Sequence, residues 1–377
     1  MNEIRTRSPR RRQATVTIHD VAARAGVSVA TVSRVLNGKQ LVRPETAVHV
    51  LSVARELHFV PNVAARTLSI RRSQTIGIVL PDVHGEFFSE VIRGVDVAAR
   101  KAGYHILVSG SHSDPGEMME VLEAMRGRVD GLVVMAPDAT LSALGKSRTA
   151  DLPLVLLNTV DDAHDAITID NYGGARAMIR HLAQLGHTRI AFIKGPDGNA
   201  DARERLRGFR HAMRAIPGGE KLELAGDFTE RSGYAAALHL CGAADPAAKP
   251  ADSAAKPADS AAKPAGGVAG ATPTGTTPTA IFAANDSMAI GALSALADRG
   301  IAVPGEMSVA GFDDIPIAHY VAPPLTTIAV DIAEMGRRAF ALLSESLGEH
   351  RHPKRQECIS TTLVVRKSCA APHSQVK

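Results

Sequence analysis

The chain has 377 residues, 45% of them apolar and 22% charged, enough length and apolar material for two or three domains, which excludes both a minimal peptide and wholesale disorder. The formal net charge of +4 is unevenly spread: residues 1–72 hold 13 Lys and Arg against 4 Asp and Glu, and the remainder hold 30 against 35. A basic head therefore precedes a slightly acidic body. Cys241, Cys358 and Cys369 are too few and too scattered for a disulfide framework or a zinc site. No apolar stretch follows the Arg-rich start and no run of about 18 apolar residues occurs, so a cytoplasmic protein is expected.

Residues 1–16 hold five arginines and little apolar material, which predicts a disordered arm. Thr17 is a good N-cap with Asp20 three residues on, and Ile18, Val21, Ala22 and Ala25 recur at helical spacing up to Gly26. Ser28 caps a second helix, striped by Val32, Val35 and Leu36 and closing at Asn37-Gly38. This is a helix-turn-helix pattern. Val29, Ala30, Thr31, Ser33 and Arg34 fall at the start and outer face of the second helix, where small side chains suit thymine methyl groups and an arginine can take guanine in a bidentate contact. A third helix starts at Pro44, with Ala47, Val48, Leu51, Ala54 and Leu57 as its expected inner face. To this point a generic three-helix bundle stays equally open.

The run Thr17-Ile18-His19-Asp20-Val21-Ala22, with Ala25-Gly26-Val27-Ser28-Val29-Ala30-Thr31-Val32-Ser33-Arg34-Val35-Leu36-Asn37, resembles the signature of the lactose/galactose repressor (LacI/GalR) family. Phe59-Val60-Pro61-Asn62 and Val63-Ala64-Ala65-Arg66-Thr67-Leu68-Ser69 resemble that family's hinge helix. Asn62 can cap such a segment, but two turns are too short to be stable alone, so the hinge is expected to order only with a symmetric partner and DNA. The resemblance implies that Leu68 wedges into a central base step through the minor groove with Ala65 beside it. It also implies that Thr17, Ser28, Asn37 and Asn62 join the DNA-facing set.

From Gln74 onward, apolar runs alternate with helical patterns. Strands are predicted at 76–80, 105–108, 131–134, 154–157, 190–193, 280–283 and 308–311, with helices near 88–102, 116–127, 172–185, 201–215, 230–241 and 286–299. That pattern is α/β, a parallel sheet with helices on its faces. The resemblance implies two doubly wound parallel-sheet subdomains of the periplasmic-binding-protein type behind the all-α head, with a ligand in the cleft between them. The expected division is an arm at 1–16, a helix-turn-helix domain at 17–61, a hinge at 62–73, a first subdomain at 74–170 and 332–359, and a second at 171–331 and 360–368. Residues 245–279 interrupt the second with a near-repeat of Ala-Ala-Lys-Pro-Ala-Asp-Ser and only one large apolar residue, Val268, which predicts a disordered insertion. Because it leads directly into the strand at Ala280, it is expected near one rim of the cleft, and a gating role stays open.

Ligands of open α/β sheets bind at strand ends. The resemblance implies that Phe87, Asn158, Arg205, Phe228, Asn285 and Asp313 line an effector pocket, joined by Phe88, Asp170 and Asp201. The side chains suit a sugar or related polyol, or a nucleoside or purine: Asp and Asn share hydroxyl protons, Arg donates a planar fork, and Phe covers an apolar ring face. Asp170-Asn171 and Asn285-Asp286 can equally cap the helices that follow, and Phe88 can equally be core. Val330 stands where some relatives place a polar ligand group, a departure that implies different effector contacts. No nucleophile elbow, phosphate-binding loop, His-Glu-x-x-His or dinucleotide fingerprint occurs, so neither an enzyme, a cofactor nor a metal site is expected. The leading reading is a homodimeric, nucleoid-associated transcriptional regulator, most consistent with a repressor, that binds a palindromic operator. The tail beyond Val365 lacks an apolar heptad, so no tetramerisation helix is expected. A sugar-binding transport or chemoreception module and an effector-independent architectural DNA-binding protein are the alternatives.

Overall fold

The computed structural model describes residues 16–36, 42–59, 72–112, 114–135, 152–242, 278–348 and 353–373. The expected hinge residues Asn62, Ala65 and Leu68, the arm up to residue 15, Asn37 and nearly all of the insertion lie outside these. Two units separate by their contacts, Met1–Ser73 and Gln74–Lys377.

Among the described residues the first unit has three helices: α1 (Ile18–Ala25), α2 (Val29–Leu36) and α3 (Pro44–Glu56). Thr17 and Asp20 form a reciprocal capping box at the start of α1, and Gly26 ends it in the left-handed conformation at φ 64°. Ser28 Oγ accepts the Thr31 backbone N–H at 3.1 Å and so caps α2. Val21, Ala22, Ala25, Val32, Val50, Val53 and Ala54 close the small core. The expected inner face of α3 is therefore rotated. Val48 and Leu51 are 67% and 40% exposed, and Val50 and Val53 take the buried positions. This helix carries apolar residues on two faces, so periodicity alone does not choose between them.

Among the described residues the second unit contains two six-stranded sheets. In the first, β1 (Thr75–Leu80), β2 (His105–Gly110), β3 (Gly131–Met135), β4 (Leu154–Leu157), β5 (Asp165–Ile169) and β11 (Gln356–Ile359) lie in the order β11-β5-β4-β3-β1-β2, all parallel. In the second, β6 (Arg189–Ile193), β7 (Glu220–Leu224), β8 (Ala280–Ala283), β9 (Ser308–Asp313), β10 (Thr326–Val330) and β12 (Thr361–Val364) lie in the order β12-β10-β9-β8-β6-β7. Only β12 runs antiparallel to its neighbour. The helices are α4 (Glu86–Lys101), α5 (Pro115–Met125), α6 (Asn171–Gln184), α7 (Ala200–Arg214), α8 (Glu230–Leu240), α9 (Asp286–Asp298) and α10 (Ile332–Ser346). The fold is the doubly wound α/β pair expected from the sequence. Strands buried on both faces read as unbroken apolar runs, and Phe192 in β6 stacks on Phe209 at 4.7 Å between ring centres.

Among the described residues, three chain passages join the sheets, each a single residue between elements: Asp170, Asp331 and Ser360. Asp170 and Asp331 share nearly the same backbone geometry, φ −72° and ψ 67° against φ −74° and ψ 79°, and each caps the helix it enters. In each lobe a glycine pair lets two helices touch. A Cβ on Gly94 of α4 would lie 2.1 Å from Ala333 O and one on Gly336 of α10 2.4 Å from Val91 O; Gly233 of α8 and Gly291 of α9 are equally tight.

The insertion leaves after α8 and re-enters at Thr279, whose backbone N–H donates to Arg189 O at the N-terminal edge of the second sheet. Buried His187 braces that edge through Thr279 Oγ1, Ser308 Oγ and Ala370 O. The two described flanks of the insertion therefore lie away from the cleft, and the expectation that the insertion borders it falls on residues outside those described. α8 starts beside the cleft and carries the chain about 16 Å away before the insertion begins.

Gly94→Ala is expected to push α4 from α10 and cost about 1–3 kcal/mol, read as a melting temperature several degrees lower by circular dichroism. An unchanged transition would contradict the close packing.

Candidate functional site

On the head, Ala30 and Arg34 are exposed and Thr31 and Ser33 half-buried, one helical face presented outward at the start and middle of α2. Val29 is half-buried against the head's core. The Thr17 and Ser28 side chains are engaged as caps, so they position the two helices.

In the body, the C-terminal ends of the two sheets face a cavity of about 620 Å³, within the range of small-molecule sites. Phe87, Phe88, Asn158, Asp201, Arg205, Phe228, Asn285 and Asp313 all line it. Asp170 does not. It is the exposed cap of α6, accepting Gly173 N–H at 2.8 Å in the passage between sheets. Its neighbour Asn171 turns inward instead.

Arg205 organises the floor. It is 2% exposed, and α7 carries it there because Asp201, Ala202, Phe209 and Met213 share its inward face. Nε donates to Asn171 Oδ1 at 2.7 Å and Nη1 to Ala284 O at 2.6 Å, while Nη2 lies 2.8 Å from Asp313 Oδ1. The guanidinium also lies over the Phe312 ring, 3.8 Å from its centre. Asn171 Nδ2 donates to Asp201 Oδ1 at 2.7 Å, so a chain of bonds joins α6, α7 and the ends of β8 and β9. The Arg205–Asp313 approach is close enough for an ion pair but poorly aligned, and Asp313 Oδ1 has no well-directed donor. Asn158 Oδ1, also buried, has none.

Asn158, Phe228 and Asp313 have φ of 57°, 72° and 105°, a left-handed backbone that non-glycine residues adopt at a cost and that clusters at functional sites. Asn285 helps hold this geometry: its Nδ2 donates to Phe228 O at 2.9 Å while its Oδ1 caps α9 at Met288. Asp286 points away from the cavity. Fully buried, it accepts Ile315 N–H at 2.9 Å and Thr327 Oγ1 at 2.5 Å, fixing the loop after β9. Burial pushes its carboxyl well above the usual range.

Several lining residues escaped the sequence reading, among them Asp82, His84, His112, Met135, Asn199 and Asp227. Asp82 and His84 follow β1 within a few residues, and Asp227 immediately precedes Phe228. Proximity to an identified strand end was the available signal.

The sequence matches the family model for bacterial regulatory proteins of the lacI family over residues 17–62. It matches the model for periplasmic binding proteins and the sugar binding domain of the LacI family over 73–224, and that for a periplasmic binding protein-like domain over 179–369. The HTH-type transcriptional regulator GalR of Salmonella typhimurium is 35% identical over 364 residues, covering 94% of this chain and 96% of that protein. The chain belongs to the LacI family. The HTH-type transcriptional repressor PurR of Haemophilus influenzae is 31% identical over 360 residues, covering 93% of this chain and 98% of that one. Among solved structures, the lac repressor dimer bound to operator and the anti-inducer ONPF superposes with a TM-score of 0.79 at 28% identity, covering 95% of this chain and all of that one. The complex of the transcriptional regulator CelR with cellobiose gives 0.63 at 29%, covering 94% and 99%. The protein is accordingly a DNA-binding transcriptional regulator with a ligand-binding body.

The regulator's Asp201 is pushed up to about 6, first by burial, against the pull of Arg205. Its folded value exceeds its unfolded one, so the stability it contributes is present in full below pH 4 and is lost as pH rises through 6. Asp201→Asn should therefore be more stable than wild type at pH 7.5, by about 3 kcal/mol at most, with the difference vanishing near pH 4. Urea unfolding at the two pH values checks this. A variant less stable at pH 7.5 would overturn the assignment.

Proposed function

We propose that the regulator is a homodimeric repressor that binds a palindromic operator and is controlled by a small carbohydrate-type effector in the cavity. The observation that carries this reading is the placement of a buried polar network at the facing ends of two sheets joined by single-residue passages. A ligand that bonds both sides differs in affinity for the open and closed arrangements, and so shifts their populations. If those populations set the separation of the two hinge segments at 62–73, effector and DNA change each other's affinity by the same factor.

In the head, Arg34 reads guanine and Ala30 approaches a thymine methyl group. Val29, Thr31, Ser33 and Asn37 support that docking, with Thr17 and Ser28 fixing the helix ends. Asn62 starts the hinge helix, and Leu68, flanked by Ala65, wedges into the minor groove of the central step. In the body, Arg205 and Asp313 bond the effector's hydroxyls, Asn158, Asp201 and Asn285 complete the polar set, and Phe87, Phe88 and Phe228 cover its apolar face. The cavity's role is binding rather than catalysis, and the working compartment is the cytoplasm, at the nucleoid. GalR, PurR and CelR carry related bodies, which supports a small-molecule effector here.

Arg34→Ala is expected to relax base preference in each half-site, by about 1–3 kcal/mol per lost bidentate contact. A randomised-site selection with unchanged preference would remove that role. Arg205→Ala should abolish the effector response while leaving operator affinity within about twofold. Calorimetry showing wild-type effector binding in this variant would sink the cavity model.

A further inference from the structure

The cavity's balance of charges and hydrogen-bonding groups narrows what it holds, on the reading that it is the effector site. Among the described residues its lining carries six carboxyl side chains, Asp82, Glu86, Asp201, Asp227, Glu230 and Asp313, against Arg205 and the rim histidines His84 and His112. His112 is already paired with Glu117 at 2.6 Å. Arg205 is largely committed too, with Asn171, Ala284 O and Asp313 each taking one of its nitrogens. Among the described lining residues, little cationic capacity is left for an anion.

The unpaired groups have the same sense. Asn158 Oδ1 is a buried acceptor without a donor among the described residues, while Asp313 Oδ1 meets only the poorly aligned Arg205 at 2.8 Å, and a buried acceptor left unsatisfied is costly. The Asn158 amide leans on Asp201, which leaves its oxygen as the free end. A ligand engages these oxygens by bringing O–H or N–H groups.

We infer that the cavity selects a donor-rich ligand without negative charge, a neutral polyhydroxy compound or its amino analogue, and rejects phosphate esters. A phosphate presents mainly acceptors to groups that are themselves acceptors, and places a dianion among carboxylates where water is partly excluded. A hydroxyl donates into the same oxygens, and an ammonium group adds attraction from the rim acids.

The test is calorimetry on the full chain at pH 7.5, after a thermal-shift screen of matched ligands: neutral sugars, their amino-deoxy analogues and phosphate esters, and nucleosides with their 5′-monophosphates. The expected result is that each phosphate ester binds at least tenfold more weakly than its parent, while the amino analogue binds within threefold or tighter. Raising salt should narrow the gap. The double variant Asp82→Asn, Glu230→Gln, at two exposed rim positions, should narrow it severalfold at low salt. A phosphate ester that binds as tightly as its parent, or binding by phosphate esters alone, overturns this inference and leaves small-molecule control standing. Binding by no member of the panel overturns the effector reading and this inference with it.

Discussion

A buried guanidinium is the constraint around which the body is arranged. A permanent cation at 2% exposure persists only if its donors are met and its charge is balanced. Arg205 meets this demand by drawing in Asn171 from α6, the carbonyl that ends β8 and the carboxylate that ends β9. Those partners come from sequence positions up to 142 residues apart, between Asn171 and Asp313, so the ion cannot be satisfied until the second sheet is assembled. The left-handed backbone at Asp313 and Phe228 is part of the same solution. Each turns a strand-end residue toward the cation instead of onward into the next loop.

Much of this was legible in the sequence because its physics is local. A strand covered on both faces must be apolar throughout, and Ile76–Leu80 and Ala280–Ala283 announce themselves that way. The helix starts in the head are chemical punctuation, with Thr17, Ser28 and Pro44 each in a position suited to its side chain. Elements at the margins were not visible. β7, Glu-Lys-Leu-Glu-Leu, mixes charged with apolar residues at the edge of its sheet, and so lacks the unbroken apolar run by which the central strands were found. β5 begins with Asp165, a fully buried acid that Arg355 N–H, Ser346 and the Lys354 ammonium reach from the far end of the chain.

The site was legible as a set of strand ends, less so as a set of side chains. In the pair Asn285-Asp286 the first residue lines the cavity and also caps α9 with its amide oxygen, while its amide nitrogen ties down Phe228 O. In the pair Asp170-Asn171 the two are divided, the acid capping and the amide entering the network. Sequence places such residues within one position of their task. Which of two neighbours faces inward depends on strand register and on where the following helix begins, and both are tertiary.

The three passages between the sheets run side by side: Asp170 N–H donates to Ile359 O, and Val330 pairs with Thr361. A lone strand would leave its two lobes free to swivel, tilt and twist. Three adjacent strands, two of them locked at once into helix caps, act as a leaf hinge, soft to bending about one line and stiff to everything else. On the proposed reading, a ligand in the cavity acts through that hinge on a single angle, a signal with one coordinate.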